Sequence, residues 1–217
     1  MSEKSIWRIG IDIGQKVDHS AVCVVEEAGE KIVVRFIWKY PLGFPFPELA
    51  DTIADLYHGV AGKGQVYSLV VDATGIGSSP ATMIQQRLPD MRVDFFIFTN
   101  KSKRELVGKV NVLHATGRLR FARKAKDDTA YNHMLAELIN EMKSVQTKVI
   151  REDEANPEIE VFSTGAHDDL FTALALAIKD IDLRGSTQSP AVVMMKDDSW
   201  VKTPLDQRGN EPPVAFF

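Results

Sequence analysis

Three places in this sequence put acids where ordinary structure has little use for them. Asp12 lies within the strand-like run Arg8-Ile9-Gly10-Ile11-Asp12-Ile13-Gly14, and aspartate suits strand interiors poorly. Asp72 closes the apolar run Leu69-Val70-Val71. Asp168 and Asp169 open a segment, Leu170 to Ala177, that is almost wholly apolar. Taken singly, Asp72 also reads as a turn or cap, and Asp168 as the N-cap of its helix with the neighbouring acid favoured by the helix dipole. Taken together, two acids ending adjacent strands and a pair at the start of a buried helix can converge on one point. Converging carboxylates raise one another's pKa unless a cation sits between them. Oxygen ligation with no convergent His or Cys suits Mg²⁺ or Mn²⁺. The chemistry such a cluster serves is in-line displacement at phosphorus, with two ions about 3.5–4 Å apart on the attacking and leaving oxygens.

The 217 residues are 44% hydrophobic and 26% charged, with a net charge of −4. That total argues against a polyanionic partner only if the charge is evenly spread, and it is not. Lys101, Lys103, Arg104, Lys109, Arg118, Arg120, Arg123, Lys124 and Lys126 stand against the single acid Glu105. The stretch is therefore about +8 and the rest of the chain −12. Such segregation sets up a field that can draw an anionic polymer to one face, with phosphate contacts that do not read base sequence. No window approaches the roughly 18 apolar residues of a membrane span. The acidic start Met1-Ser2-Glu3 is unlike a secretory signal, so a cytoplasmic location is expected. A lone cysteine, Cys23, inside Ala21-Val22-Cys23-Val24-Val25, reads as a small core residue. Trp7 and Trp38, on strands, read as packing residues.

The elements that must position the acids follow from periodicity. Ile6–Ile13, Ala21–Val25 and Lys31–Tyr40 alternate like strands separated by short turns, which predicts an antiparallel meander. A helix is predicted from Pro47 through Leu49, Ile53 and Leu56. Gln65–Val71 reads as a strand covered on both faces, Ser78–Leu88 as a helix and Arg92–Phe98 as a strand. Asn100 or Ser102 is expected to cap the next helix, which stops at Gly117. A short strand, Leu119–Phe121, and a helix opened by Asp127 or Asp128 come next. Val145–Ile150 and Ile159–Phe162 read as a hairpin, and Asp168–Ile181 as the last helix. A meander followed by alternating strands and helices predicts an α/β chain with a central mixed sheet flanked by helices over residues 1–184. The Gly, Ser and Pro content after Arg184 predicts that residues 185–217 are a largely irregular tail.

These residues, in this order, resemble the nuclease domain of the large terminase subunits of tailed bacteriophages, a branch of the RNase H-like superfamily. The resemblance rests on Gly10-Ile11-Asp12-Ile13-Gly14, Val70-Val71-Asp72-Ala73-Thr74-Gly75-Ile76-Gly77, Asn100-Lys101-Ser102-Lys103, Gly117-Arg118-Leu119 and His167-Asp168-Asp169 with the alanine-rich helix behind it. It implies an endonuclease that cuts concatemeric viral DNA during genome packaging, in the cytoplasm of the bacterial host. It further implies Asp12, Asp72 and Asp169 as metal-binding acids, with Asp168 assisting and two Mg²⁺ or Mn²⁺ ions. The implied partners are double-stranded DNA, an ATPase domain, the portal and the small terminase subunit. No G-x-x-x-x-G-K-[ST] loop is present; Gly59-Val60-Ala61-Gly62-Lys63-Gly64 has the wrong spacing. The chain is then the C-terminal domain of a longer packaging motor or a free-standing nuclease. His167 and His19 read as turn residues with at most an orienting role. The competing readings are a RuvC-like junction resolvase, an actin-like ATPase suggested by the first Gly-Ile-Asp-Ile-Gly turn, and a non-catalytic DNA- or portal-docking module.

Overall fold

Apolar alternation and β-branched residues build the sheet in which the acids end up. The computed structural model describes residues 5–14, 18–74, 79–122, 129–151, 158–163 and 167–183. Strands β1 (Ile6–Asp12), β2 (Ala21–Ala28) and β3 (Lys31–Lys39) form the expected antiparallel meander. After helix α1 (Phe46–Ala61), β4 (Gln65–Asp72) returns parallel to β1. Helix α2 (Ser79–Arg87), β5 (Val93–Phe96), α3 (Asn100–Ala115) and β6 (Leu119–Phe121) follow. The sheet order is β5-β4-β1-β2-β3-β6, with β5 parallel to β4 and β6 parallel to β3. Helix α4 (Thr129–Ser144) leads into a separate hairpin of β7 (Val145–Arg151) and β8 (Glu158–Ser163), and α5 (Asp169–Ala177) closes the described chain. This is the mixed sheet between helices that the sequence predicts. The tail lies outside the described residues, as do Asp127 and Asp128. Among the described residues no helix is long and apolar enough to cross a membrane.

The sheet has an apolar core on each face. Ile9, Ile11, Val22, Val24, Leu69 and Val71 pack against Leu49, Ile53 and Leu56 of α1 and Ile84 of α2. On the other face Cys23, Val25 and Val34 pack against Val110 of α3, Leu138 of α4 and Leu174 of α5. Trp7 is fully buried in the first core, and Trp38 packs partly buried against it. Strand side chains alternate between faces, so with Ile9 and Ile11 facing α1, Gly10 and Asp12 face α5. Gly10 is where the two elements meet backbone to backbone: a Cβ there would stand 2.1 Å from the Ala173 carbonyl oxygen and 2.3 Å from the Ala177 nitrogen. Only a residue without a side chain permits this approach. Asp169 lies one helical turn before Ala173, which brings it to the end of β1 where Asp12 sits.

Three of the boundaries that differ from expectation have a local cause. The α3 cap is Thr99, not Asn100 or Ser102: its side chain accepts from the Ser102 amide while the Ser102 hydroxyl accepts from the Thr99 amide at 2.9 Å. Thr99 is still extended and Asn100 is already helical, so Ser102 falls at the third helical position and answers the cap instead of supplying it. Strand β5 spans only four residues, pairing with β4 from Leu69 to Asp72 and no further. Helix α5 ends at Ala177 because the chain tightens into a turn, with the Ile181 amide donating to the Ile178 carbonyl at 3.1 Å.

Candidate metal centre

Parallel pairing of β1 with β4 puts Ile11 beside Val71, so the next residues, Asp12 and Asp72, end adjacent strands side by side. Both lie at the carboxyl edge of the sheet, where open α/β sheets bind ligands. Asp169, the first residue of α5, is 5% exposed and Asp168 is at the N-cap. These four acids share one cleft of about 340 Å³, whose other walls include Asp18, Thr74, Lys103, His167 and Thr172. The fold thus gathers all four carboxylates singled out above.

Asp72 is held by an Asx turn, its Oδ1 accepting from the Thr74 amide at 2.7 Å. The Thr74 hydroxyl in turn accepts from the Phe98 amide at 2.9 Å, tying this turn to the end of β5. Asp12 and Asp72 line the same cleft close enough for each carboxyl group to act on the other. Burial holds the Asp12 carboxyl well above the usual range, and Asp72, Asp169, Asp168 and Asp18 push it further up. Burial also raises Asp72, against the hydrogen bonds from Thr74, and raises Asp169, against the attraction of His167. Each of these acids resists ionising alone, and a multivalent cation is the partner that would let them ionise together.

Two further residues join the cluster. Ligand atoms of Asp18, His167 and Asp169 lie within 4.8 Å of one another, and His167 Nδ1 is 4.0 Å from Asp169 Oδ2. Asp169 Oδ2 is buried without a hydrogen-bond partner, an orphan that a metal ion would satisfy. Among the described residues, then, the donor set fits a divalent cation. Beside the oxygen donors expected from the sequence, an imidazole nitrogen faces the same point. His19 plays a different part, its Nδ1–H donating to the Tyr40 carbonyl at 2.8 Å and its ring standing edge-on to His167 at 5.7 Å.

The basic stretch does not form one surface. Lys103 lines the cleft with its Nζ 3.4 Å from Asp168 Oδ2, and Lys101, exposed, and Arg104, half-buried, flank it in the first turns of α3. Lys109 instead donates to the Lys179 and Ile181 carbonyls at the end of α5. Arg118 is buried and donates to the Glu30, Asp182 and Leu183 carbonyls. Both are structural cations, a correction to their reading as DNA contacts; carbonyls in the β2–β3 turn and just beyond α5 are what hold them. Arg120, on the edge strand β6, stands over Gly117, its guanidinium 3.1 Å from where a Cβ there would be. Arg123, Lys124 and Lys126 lie outside the described residues.

Two buried or cleft acids escape the sequence reading. Asp18 sits in the turn after β1, and a turn aspartate carries no signal of its direction. Glu141 is buried on α4, its Oε2 accepting from the Phe171 amide at 2.8 Å and its Oε1 unpartnered. Burial, with Asp169 nearby, pushes its carboxyl up to about 7. The signal was available: Glu141 follows Leu138 by three residues, inside the apolar stripe of its helix.

Residues 9–180 match the family described as the terminase RNaseH-like domain. No curated protein sequence matches the chain significantly. Among solved structures, the large terminase nuclease from thermophilic phage G20c superposes with a TM-score of 0.58 at 16% identity, covering 82% of this chain and 83% of that one. The human cytomegalovirus terminase nuclease domain gives 0.60 at 12% identity, covering 84% and 86%. The nuclease domain of the large terminase subunit gp2 of bacterial virus Sf6 gives 0.56 at 14%, covering 81% and 87%. At these identities the likeness is one of fold.

Proposed function

The chain belongs to the terminase RNaseH-like domain family, and from that premise we propose that it is a metal-dependent DNA endonuclease that cuts concatemeric viral genomes during packaging. The observation that carries this reading is the convergence of Asp12, Asp72, Asp168 and Asp169 on one cleft where a buried Asp169 oxygen lacks a partner. Asp12 and Asp72 would hold one Mg²⁺ or Mn²⁺ between them, and Asp169 with Asp18 and His167 the other. Bound there, such ions supply a nucleophilic water and charge neutralisation at the leaving oxygen. Relatives in manganese-soaked and zinc-bound forms support divalent-metal binding in this fold.

The chain's own residues do the positioning. The Thr74 amide fixes the Asp72 rotamer. Lys103, paired with Asp168, is placed to exchange that carboxylate for a DNA phosphate entering the cleft. Lys101 and Arg104 would extend this phosphate contact along the first turns of α3, with affinity that falls steeply with salt. His167, on the rim of the cleft, would orient a ligand or water. Residues 1–184 are read as the nuclease domain and 185–217 as a tail, joined in the working motor by an ATPase domain, the portal and the small terminase subunit in the host cytoplasm. The family membership favours this reading over a junction resolvase or a docking module.

Supercoiled plasmid incubated with the protein in Mg²⁺, Mn²⁺ or EDTA tests the proposal. Nicked and linear products are expected with either metal and none with EDTA, and Asp12→Asn or Asp72→Asn should remove them while keeping the circular dichroism of the wild type. Cleavage in EDTA, or by either variant, would overturn it.

A further inference from the structure

A helix start leaves its first amides without intrahelical partners, and the N-cap side chain ordinarily answers one of them. Asp168, at the N-cap of α5, makes no such bond and has φ −136°, ψ 25°. Its carboxylate is turned toward Lys103 at the cleft. The Phe171 amide, third in the helix, is answered from another element by Glu141 Oε2 of α4 at 2.8 Å. Glu141 is 6% exposed, and its second oxygen is buried without a partner, an arrangement that costs stability. One turn earlier on α4, Glu137 is ion-paired with Lys39 at the end of β3, so α4 is anchored to the sheet just where Glu141 reaches out.

We propose that Glu141 is a positioning residue: it takes over the capping of α5, leaving Asp168 and Asp169 free to turn their carboxylates into the cleft. Resting on the metal-centre reading above, the inference names the residue that sets that centre's geometry from behind it. A local cap such as Ser or Asn at position 168 would satisfy the helix but remove an acid from the cleft; a cap supplied from α4 satisfies both demands. The role differs from plain stabilisation because losing it should loosen the turn that carries Asp169 and weaken metal binding in protein that is still folded.

Calorimetric titration of Mn²⁺ at 15 °C separates the two roles. Residues behind metal ligands typically change affinity by about 10–100-fold. Glu141→Ala is expected to weaken Mn²⁺ binding about tenfold or more, and Glu141→Gln, whose amide oxygen still accepts from Phe171, to stay within about threefold. Glu141→Asp, one methylene shorter, serves where the alanine variant fails to fold and should fall between them. The proposal is overturned if the folded alanine or aspartate variant binds Mn²⁺ as the wild type does, or if Gln falls as far as Ala. Asp12→Asn is the control on the underlying reading: wild-type Mn²⁺ affinity in that variant would remove the metal centre itself, whereas its loss beside an unaffected Glu141→Ala would remove only the role of Glu141.

Discussion

Replacing Gly10 with alanine adds one methyl group and should disable the cleft from a distance. The new Cβ would lie 2.1 Å from the Ala173 oxygen and 2.3 Å from the Ala177 nitrogen, whereas carbon–oxygen contacts below about 3 Å are prohibitive. Helix α5 must therefore lift from β1 by on the order of 1 Å. Both atoms belong to helix backbone and cannot swing aside, so the cost falls near the upper end of overpacking, about 3 kcal/mol. At about 2–4 °C per kcal/mol for a chain of this size, the melting temperature should drop by roughly 6–12 °C. The same lift carries Asp169 away from Asp12, and a misplacement of about 1 Å costs on the order of 10²-fold in rate. Differential scanning fluorimetry and Mn²⁺-dependent plasmid nicking below the melting point measure the two effects separately. Gly108→Ala is the matched control: it sits in α3 with nothing within 4 Å of a new Cβ and should gain about 0.5–1 kcal/mol. A Gly10→Ala protein that melts and cuts like the wild type would refute the claim that this contact sets the cleft.

Further outcomes follow from the same geometry. In EDTA, Asp12→Asn should melt above the wild type at pH 8 because it removes the acid most opposed by burial and by its neighbours; a lower melting temperature by circular dichroism would contradict the repulsion argument. Glu141 is raised from 4.5 to about 7, so the folded chain binds protons that the unfolded chain has already released. Metal-free stability should therefore fall as pH rises from about 4.5 to about 7 and not recover above it, by on the order of 3 kcal/mol at most for Glu141. Raised Asp12, Asp72 and Asp169 act in the same direction, and urea melts in EDTA at pH 5 and pH 8 that show the reverse order would refute this. Lys103→Ala should weaken DNA binding by electrophoretic mobility shift at low salt. Lys109→Ala should instead cost about 1–3 kcal/mol in urea unfolding, through the two carbonyls it leaves bare; the opposite pattern would reverse the division of roles.

The acids were legible because each breaks a local rule: a charge in a strand, a charge ending an apolar run, a charged pair heading an alanine-rich helix. Strand existence and the meander were legible from alternation, and the order β5-β4-β1-β2-β3-β6 was not, because parallel pairing of β6 with β3 depends on contacts between distant parts of the chain. Charge counting misled at Lys109 and Arg118, since composition cannot tell a cation facing solvent from one bound to carbonyls at a helix or loop end. Glu141 lay in plain view on an apolar stripe, and what hid its role was that its partner, the Phe171 amide, lies 30 residues further on. Asp18 and His167 sit in loops, whose side-chain directions are set by the packed elements on either side rather than by their own sequence.

Asp12 is in the first strand of the fold, and Asp169 lies 157 residues further along. A chain emerging from the ribosome has made Asp12 and Asp72 long before the helix bearing Asp168 and Asp169 exists. Until α5 docks onto Gly10, the carboxyl edge of the sheet holds only part of its acids. Truncated or half-synthesised chains lack the last contributor to the cleft, so on the proposed reading they would be unable to assemble the metal centre. Dividing the chain between β6 and α4 leaves Asp12 and Asp72 on one fragment and Asp168 and Asp169 on the other, so the proposed activity would require the two to be brought together.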